Sequence, residues 1–205
     1  CTTGCASNYN DIVLTANATD ITFTNVSMNK SRIAIIPRSP SVPVEKNNLT
    51  IRWYLDVNVT NSTNNVGIAN AQVNINDSFA TNLFNLTTDA SGSAGTVAVT
   101  EFTMNGSVPF STNVDVDSCI AFKSNENITC FTPYNISVNI SGYNAASRSI
   151  DVNRSKFVNI SLVMPDTTFP VVNTSFNVTS AVFNDVINFS GNITDETGLA
   201  TANIT

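Results

Sequence analysis

Histidine is absent from the chain. That removes the side chain most often used as a general base near neutral pH and the commonest metal ligand, and with it serine–histidine, cysteine–histidine and histidine–zinc chemistry. Charge is scarce too: Asp, Glu, Lys and Arg make up 12% of the 205 residues, against roughly 25% in an average soluble protein. The 9 basic residues are outnumbered by 15 acidic ones, and the densest basic stretch is Lys30, Arg32 and Arg38. Displacing counterions from a nucleic acid takes grouped cations, so no nucleic-acid partner is expected. No apolar run approaches the roughly 20 residues that span a bilayer, so no membrane span is expected in this segment. With no initiating Met and no signal-like apolar region, the chain reads as processed or cropped from a longer one, its export signal or anchor lying elsewhere.

Acidic residues are scattered one or two at a time. Carboxylate-pair hydrolysis of a glycoside needs two acids across a cleft, and nothing marks such a pair; the sequence predicts a protein that is not an enzyme. Asp115 with Asp117, and Asp195 with Glu196, are the candidates for calcium. Two acids fall short of the usual six to eight oxygen ligands, so solvated turn carboxylates are the better reading, no cofactor is expected, and calcium stays the alternative. The four cysteines are Cys1, Cys5, Cys119 and Cys130. Neither spacing is joined by a second pair at zinc distance, so in an exported chain disulfides are expected. Cys119 and Cys130 flank ten residues and are the favoured pair, a closure worth about 3 kcal/mol in the chain-entropy model. Cys1 and Cys5 pair with each other or with a residue upstream, and the connectivity stays open.

What fills the space left by charge is Asn, Ser and Thr. Asn-x-Ser/Thr acceptor triplets begin at Asn17, Asn25, Asn29, Asn48, Asn58, Asn61, Asn76, Asn85, Asn105, Asn127, Asn135, Asn139, Asn153, Asn159, Asn173, Asn177, Asn188, Asn192 and Asn203. That is 19 of 31 asparagines, where chance placement of the hydroxyl residues gives only about 7. One reading is that a polar, low-complexity composition makes such triplets by accident. The central residue argues for the other. In 12 of the 19 it is Val, Ile, Leu or Phe, and along a strand positions i and i+2 share a face while i+1 points to the opposite one. Each such triplet therefore sets Asn and its hydroxyl partner outward and an aliphatic side chain inward, which predicts an N-glycosylated outer surface on an extracellular protein.

Period-2 alternation recurs along the chain and no window carries a helical apolar stripe. Strands are expected at residues 21–26, 32–36, 49–60, 71–75, 83–87, 96–103, 118–123, 134–140, 146–152, 157–164, 171–178, 186–193 and 199–204, separated by Asn, Gly, Ser, Asp and Pro turn clusters. The fold class is therefore all-β, with the strand spacing of tandem β-sandwiches. Three prolines between Pro37 and Lys46 read as a linker, and Pro165 to Pro170 as a hinge, because proline cannot join a central ladder. The expected division is residues 1–46, 47–165 and 166–205.

The middle portion carries Gly67-Ile68-Ala69-Asn70-Ala71-Gln72-Val73-Asn74-Ile75, Thr88-Asp89-Ala90-Ser91-Gly92, Pro133-Tyr134-Asn135-Ile136-Ser137-Val138, Ser141-Gly142-Tyr143 and Val158-Asn159-Ile160-Ser161-Leu162. It resembles the carboxypeptidase-regulatory-like, or transthyretin-like, sandwich of archaeal and bacterial surface proteins over roughly 115 residues. The insertion at residues 110–129 departs from that family's short pattern and leaves room for a binding loop. Ile21 to Ser31 followed by Trp53-Tyr54-Leu55-Asp56-Val57 resembles the stretch after a β-helix in large archaeal surface glycoproteins. Asn188-Phe189-Ser190-Gly191-Asn192-Ile193-Thr194-Asp195-Glu196-Thr197-Gly198-Leu199 resembles the opening strands of an immunoglobulin-like repeat. These resemblances imply a structural, cell-surface glycoprotein without catalytic residues: a subunit of a filament, pilus-like appendage or surface layer, with an adhesin module for glycans or partner cells as the alternative.

Some surface β-modules join a buried Lys to an Asn beside an acid. No motif fixes such a triad here, so Lys30, Lys46, Lys123 and Lys156 are expected to be ordinary surface lysines. Trp53 and Tyr54, adjacent on a strand, must face opposite ways, with Trp53 in the core. Residues 171–205 supply about three strands where an immunoglobulin-like sandwich needs about seven, so the chain is expected to partner itself, as a homopolymer by β-strand addition, or other surface proteins, the alternative being that the polypeptide continues beyond Thr205 with the strands that complete the domain.

Overall fold

The computed structural model describes residues 12–15, 18–36, 48–105, 128–168, 171–176, 182 and 189–194. Strands dominate, and among the described residues the helical content is one 3-10 turn, Lys30–Arg32. The chain divides into two compact units, Cys1–Met164 and Pro165–Thr205.

The first unit is organised around one long strand. In β4 (Asn48–Asn61) Leu49, Ile51, Trp53, Leu55, Val57 and Val59 are all buried while Arg52 and Tyr54 are exposed. Apolar residues at every second position make a ribbon with one dry face. On one edge β4 pairs antiparallel with β7 (Ser93–Asn105), which pairs with β8 (Ile128–Cys130). The other edge is shared by two strands running parallel to it. β2 (Ile21–Thr24) covers Leu49 to Arg52, and β11 (Lys156–Leu162) covers Leu55 to Asn61.

The second sheet has the order β10 (Ala146–Ile150), β9 (Tyr134–Asn139), β5 (Gln72–Asn76), β6 (Asn82–Thr87), antiparallel throughout. Val73, Ile75, Tyr134, Ile136 and Val138 face inward and join the residues of β4, with Val158, Ile160 and Leu162, in one hydrophobic cluster. This is a β-sandwich, and its core lies between the two sheets. β1 (Ile12–Thr15) and β3 (Ile33–Ile36) form a separate parallel pair, with Leu14 and Ile33 in the same cluster.

Tyr134 is fully buried, and its hydroxyl donates to the carbonyl of Thr100 at 2.7 Å. Burial pushes its phenol well above the usual range. At one end of the sandwich Val59 N donates to Gly92 O at 2.8 Å and Ile68 N to Val59 O at 2.9 Å. Backbones meet here closely enough that a Cβ on Gly92 would overlap the Val59 carbonyl oxygen, and one on Gly67 the Ser91 carbonyl.

In the second unit β12 (Val171–Phe176) and β13 (Phe189–Thr194) form an antiparallel pair. Val171 and Val172 are both more than half exposed.

Strands stand where the alternation predicts them, with two additions and some gaps. β1 and β8 are short and carry no sustained alternation, so periodicity alone does not reveal them. The expected strands at residues 118–123 and 199–204 lie outside the described residues, as do the linker at 37–46 and the insertion up to residue 127.

Candidate functional site

Two sets of polar side chains stand out: the acceptor asparagines on the outside, and one charged cluster inside.

For the triplets centred on Leu49, Val59, Ile136 and Ile160 the central side chain is buried, and at Leu86, Ile140 and Ile193 it is half-buried. Asn85, Asn135, Asn139 and Asn159 are exposed; Asn48 and Asn58 are half-buried. Val26 is the exception, since it is 42% exposed: Asn25 sits at a positive φ of 55° just past the end of β2, where strand alternation has stopped. Asn29 is exposed but precedes the buried Lys30, and Asn61 lies where β4 gives way to a turn, its Oδ1 accepting from Thr63 N at 2.8 Å. Asn76 is half-buried and Asn173 exposed. Asn17, Asn127, Asn177, Asn188 and Asn203 lie outside the described residues, and nothing is described of the side chains of Asn105 and Asn192.

Strand register brings acceptors together in pairs, a feature the linear sequence does not display. Asn58 is opposite Asn159, Asn48 opposite Asn105, Asn76 opposite Asn135, and Asn173 opposite Asn192. In the first pair the amides touch: Asn58 Nδ2 donates to Asn159 Oδ1 at 3.2 Å, and Asn159 Nδ2 donates to Thr60 Oγ1 at 3.1 Å.

The inner cluster corrects the expectation for Lys30, which is 8% exposed rather than a surface lysine. The 3-10 turn aims its side chain inward, where Nζ donates to Glu101 Oε1 at 2.6 Å and to the backbone carbonyl of Asn153 at 3.0 Å. The ammonium also lies 5.4 Å from the centroid of the Trp53 ring. Glu101 has no exposed surface, and Trp53 Nε1 donates to its other oxygen at 2.6 Å. Burial raises the Glu101 carboxyl above the usual carboxylate range, a shift opposed by Lys30 and Trp53 and reinforced by the charge of Asp151.

Why a glutamate faces the core is a matter of register. Ile51 is opposite Phe102 while Arg52 is opposite Thr100, so Glu101 is the extra residue of a β-bulge. A bulge breaks the alternation locally and re-aims a side chain, and Glu101 and Phe102 are accordingly both buried. Thr132 braces the adjoining segment: its hydroxyl donates to Asp151 Oδ1 at 2.6 Å and accepts from Val152 N at 2.8 Å. Asn153 follows directly, half-buried, with its Oδ1 fully enclosed.

Cys130 is buried and disulfide-bonded. Cys1, Cys5 and Cys119 lie outside the described residues, and with them the expected pairing to Cys119; Asp115, Asp117, Asp195 and Glu196 lie outside them as well. Among the described residues no group of three or more His, Cys, Asp or Glu is placed to hold a metal, and no helix is long and apolar enough to cross a membrane. Trp53 is buried and Tyr54 is 41% exposed, on opposite faces of β4 as expected.

No protein-family model and no curated protein matches the chain. Similar solved structures include the TIE protein of Bacillus anthracis, at 11% identity and a TM-score of 0.37 over 69% of this chain and 20% of that one. The major pilin subunit of Bacillus cereus is 16% identical, with a TM-score of 0.35 over 62% of this chain and 32% of that one. The minor pilin of Streptococcus agalactiae is 11% identical, with a TM-score of 0.35 over 58% of this chain and 47% of that one. The chain thus spans less than half the length of each of these β proteins, to which it bears a distant likeness.

Proposed function

We propose that this chain is part of a non-catalytic, N-glycosylated cell-surface protein of the archaeal and bacterial kind, a structural subunit of an extracellular filament, pilus-like appendage or surface layer. Residues 47–165 serve in it as a transthyretin-like spacer and residues 166–205 as part of an immunoglobulin-like repeat. One observation carries the reading: the same strands that build the core with the centres of the triplets turn their asparagines outward, as at Asn135, Asn139 and Asn159. A hydrophilic coat written in uncharged residues suits a surface that is to be covered by sugar. Glycopeptide mapping of native material is expected to find sugar at more than a third of the 19 acceptors, including several of Asn58, Asn135, Asn139, Asn159 and Asn192, and negative-stain images are expected to show regular polymers. Sugar at fewer than a third of the 19 acceptors would remove the glycan coat from the proposal, and discrete particles would remove the polymer.

An adhesive module is the second reading. Phe157 is 69% exposed and Tyr54 41%. Phe157 is opposite Asp56, two residues along β4 from Tyr54, so both rings stand on the outer face of one sheet. Aromatic faces of this kind stack on apolar faces of sugars, and retention on a glycan array that is lost in Phe157→Ser is the expected sign of it.

A further inference from the structure

Lys30 and Asn153 are 123 positions apart, and the fold brings them together at one buried ammonium, which donates to Glu101 Oε1 and to the Asn153 carbonyl. The amine is buried, and the carboxylate beside it has no exposed surface and is held from its other side by the Trp53 indole. The backbone carbonyl of Asn153 is 3.0 Å from Nζ, and Cγ of the same residue is separated from that carbonyl carbon only by Cα and Cβ. Oδ1 is enclosed as well.

An ion pair in such a place carries a heavy desolvation cost. Passing one proton from the ammonium to the carboxylate removes both charges, which burial favours. It leaves a neutral amine, which is a nucleophile, next to a carboxylic acid that can give and take protons. The upward shift of Glu101 runs in the same direction.

We propose that Lys30 and Asn153 become joined by an intramolecular isopeptide bond, with Glu101 as the proton carrier. The Nζ lone pair attacks Asn153 Cγ, and the carbonyl electrons move onto Oδ1. Glu101 donates its proton to the departing Nδ2 side and recovers one from Nζ. The carbonyl reforms as the Cγ–Nδ2 bond breaks. One C–N bond is made and one broken, nothing is oxidised or reduced, one ammonia leaves, and Glu101 ends protonated as it began. The bond consumes Nδ2, the atom that would carry a sugar in the triplet Asn153-Arg154-Ser155, so cross-link and glycan exclude each other at this residue.

The test is the mass of the full 205-residue chain, made in a host that adds no N-glycans, shown to be folded by a cooperative thermal transition, and then reduced. The expected mass is lower than that of the sequence by one ammonia, and a digest is expected to yield a branched peptide joining the Lys30 and Asn153 segments. In Lys30→Arg the full mass returns. In Asn153→Asp the branched peptide persists and water is lost instead. Ring closure at Asn105-Gly106 also expels ammonia, but its loss persists in Lys30→Arg and yields no branch. A folded wild-type chain at full mass overturns the proposal, as does ammonia loss that survives Lys30→Arg with no branched peptide in the wild-type digest, or a sugar found on Asn153 in native material. The wild-type digest decides the matter even where a variant fails to fold.

Discussion

Gly92 shows how much rests on a single missing Cβ. It has a φ of +85° and lies against the carbonyl of Val59, which accepts from Ile68 N, while its own carbonyl accepts from Val59 N. Gly92→Ala combines a left-handed backbone with a backbone overlap that no side-chain rotation relieves. The expected cost is about 3 kcal/mol, read as a drop in the denaturation midpoint with an unchanged slope; a midpoint equal to wild type contradicts the close approach. Legibility in the sequence at this scale was uneven. Trp53 and Tyr54 could be assigned to opposite faces because adjacency on a strand decides it. Lys30 could not be placed inside, because a 3-10 turn has no strand parity and the partners that satisfy it, Glu101 and Asn153, are 71 and 123 positions away.

Among elements, the strands of the sandwich were legible wherever one face is dry: β4, β5, β9 and β11 repeat buried residues at every second position. Glu101 was hidden for the same reason that makes it notable, since the bulge puts it out of step with the alternation that sequence reading relies on. Pairing of acceptors was equally hidden, because register is a property of two strands. It has a consequence for glycosylation. Neighbouring strands lie only about 4.8 Å apart, less than the width of a sugar ring with its substituents, so Asn58 and Asn159 compete for one glycan. Asn58→Gln is therefore expected to raise sugar occupancy at Asn159, measured on its glycopeptide, and the same holds for Asn76 and Asn135. Full occupancy of both members in wild-type material contradicts this competition.

At the scale of the molecule the two units differ in what they can bury. Unit Cys1–Met164 encloses a two-sheet core, whereas among the described residues of the other unit β12 and β13 form a two-stranded pair with Val171 and Val172 exposed, an arrangement that by itself is at best marginal in water. A chain ending at Met164 is expected to keep the melting transition of the first unit and to lose any self-association, because strand addition would run through the second unit. If the shortened and full chains associate equally on a sizing column, that route is wrong. Finally, β11 lies parallel to β4 over seven positions, from Lys156 opposite Leu55 to Leu162 opposite Asn61. Where Lys30 and Asn153 are unjoined, as in Lys30→Arg, tension applied before Lys30 and after β11 draws two parallel strands in opposite directions, so their evenly spaced hydrogen bonds are loaded in shear together instead of opening one at a time; the proposed bond would carry the load past β4. Mechanically the unbonded sandwich is a lap joint, and its lifetime under a pull is set by its rate of unfolding more than by its equilibrium stability.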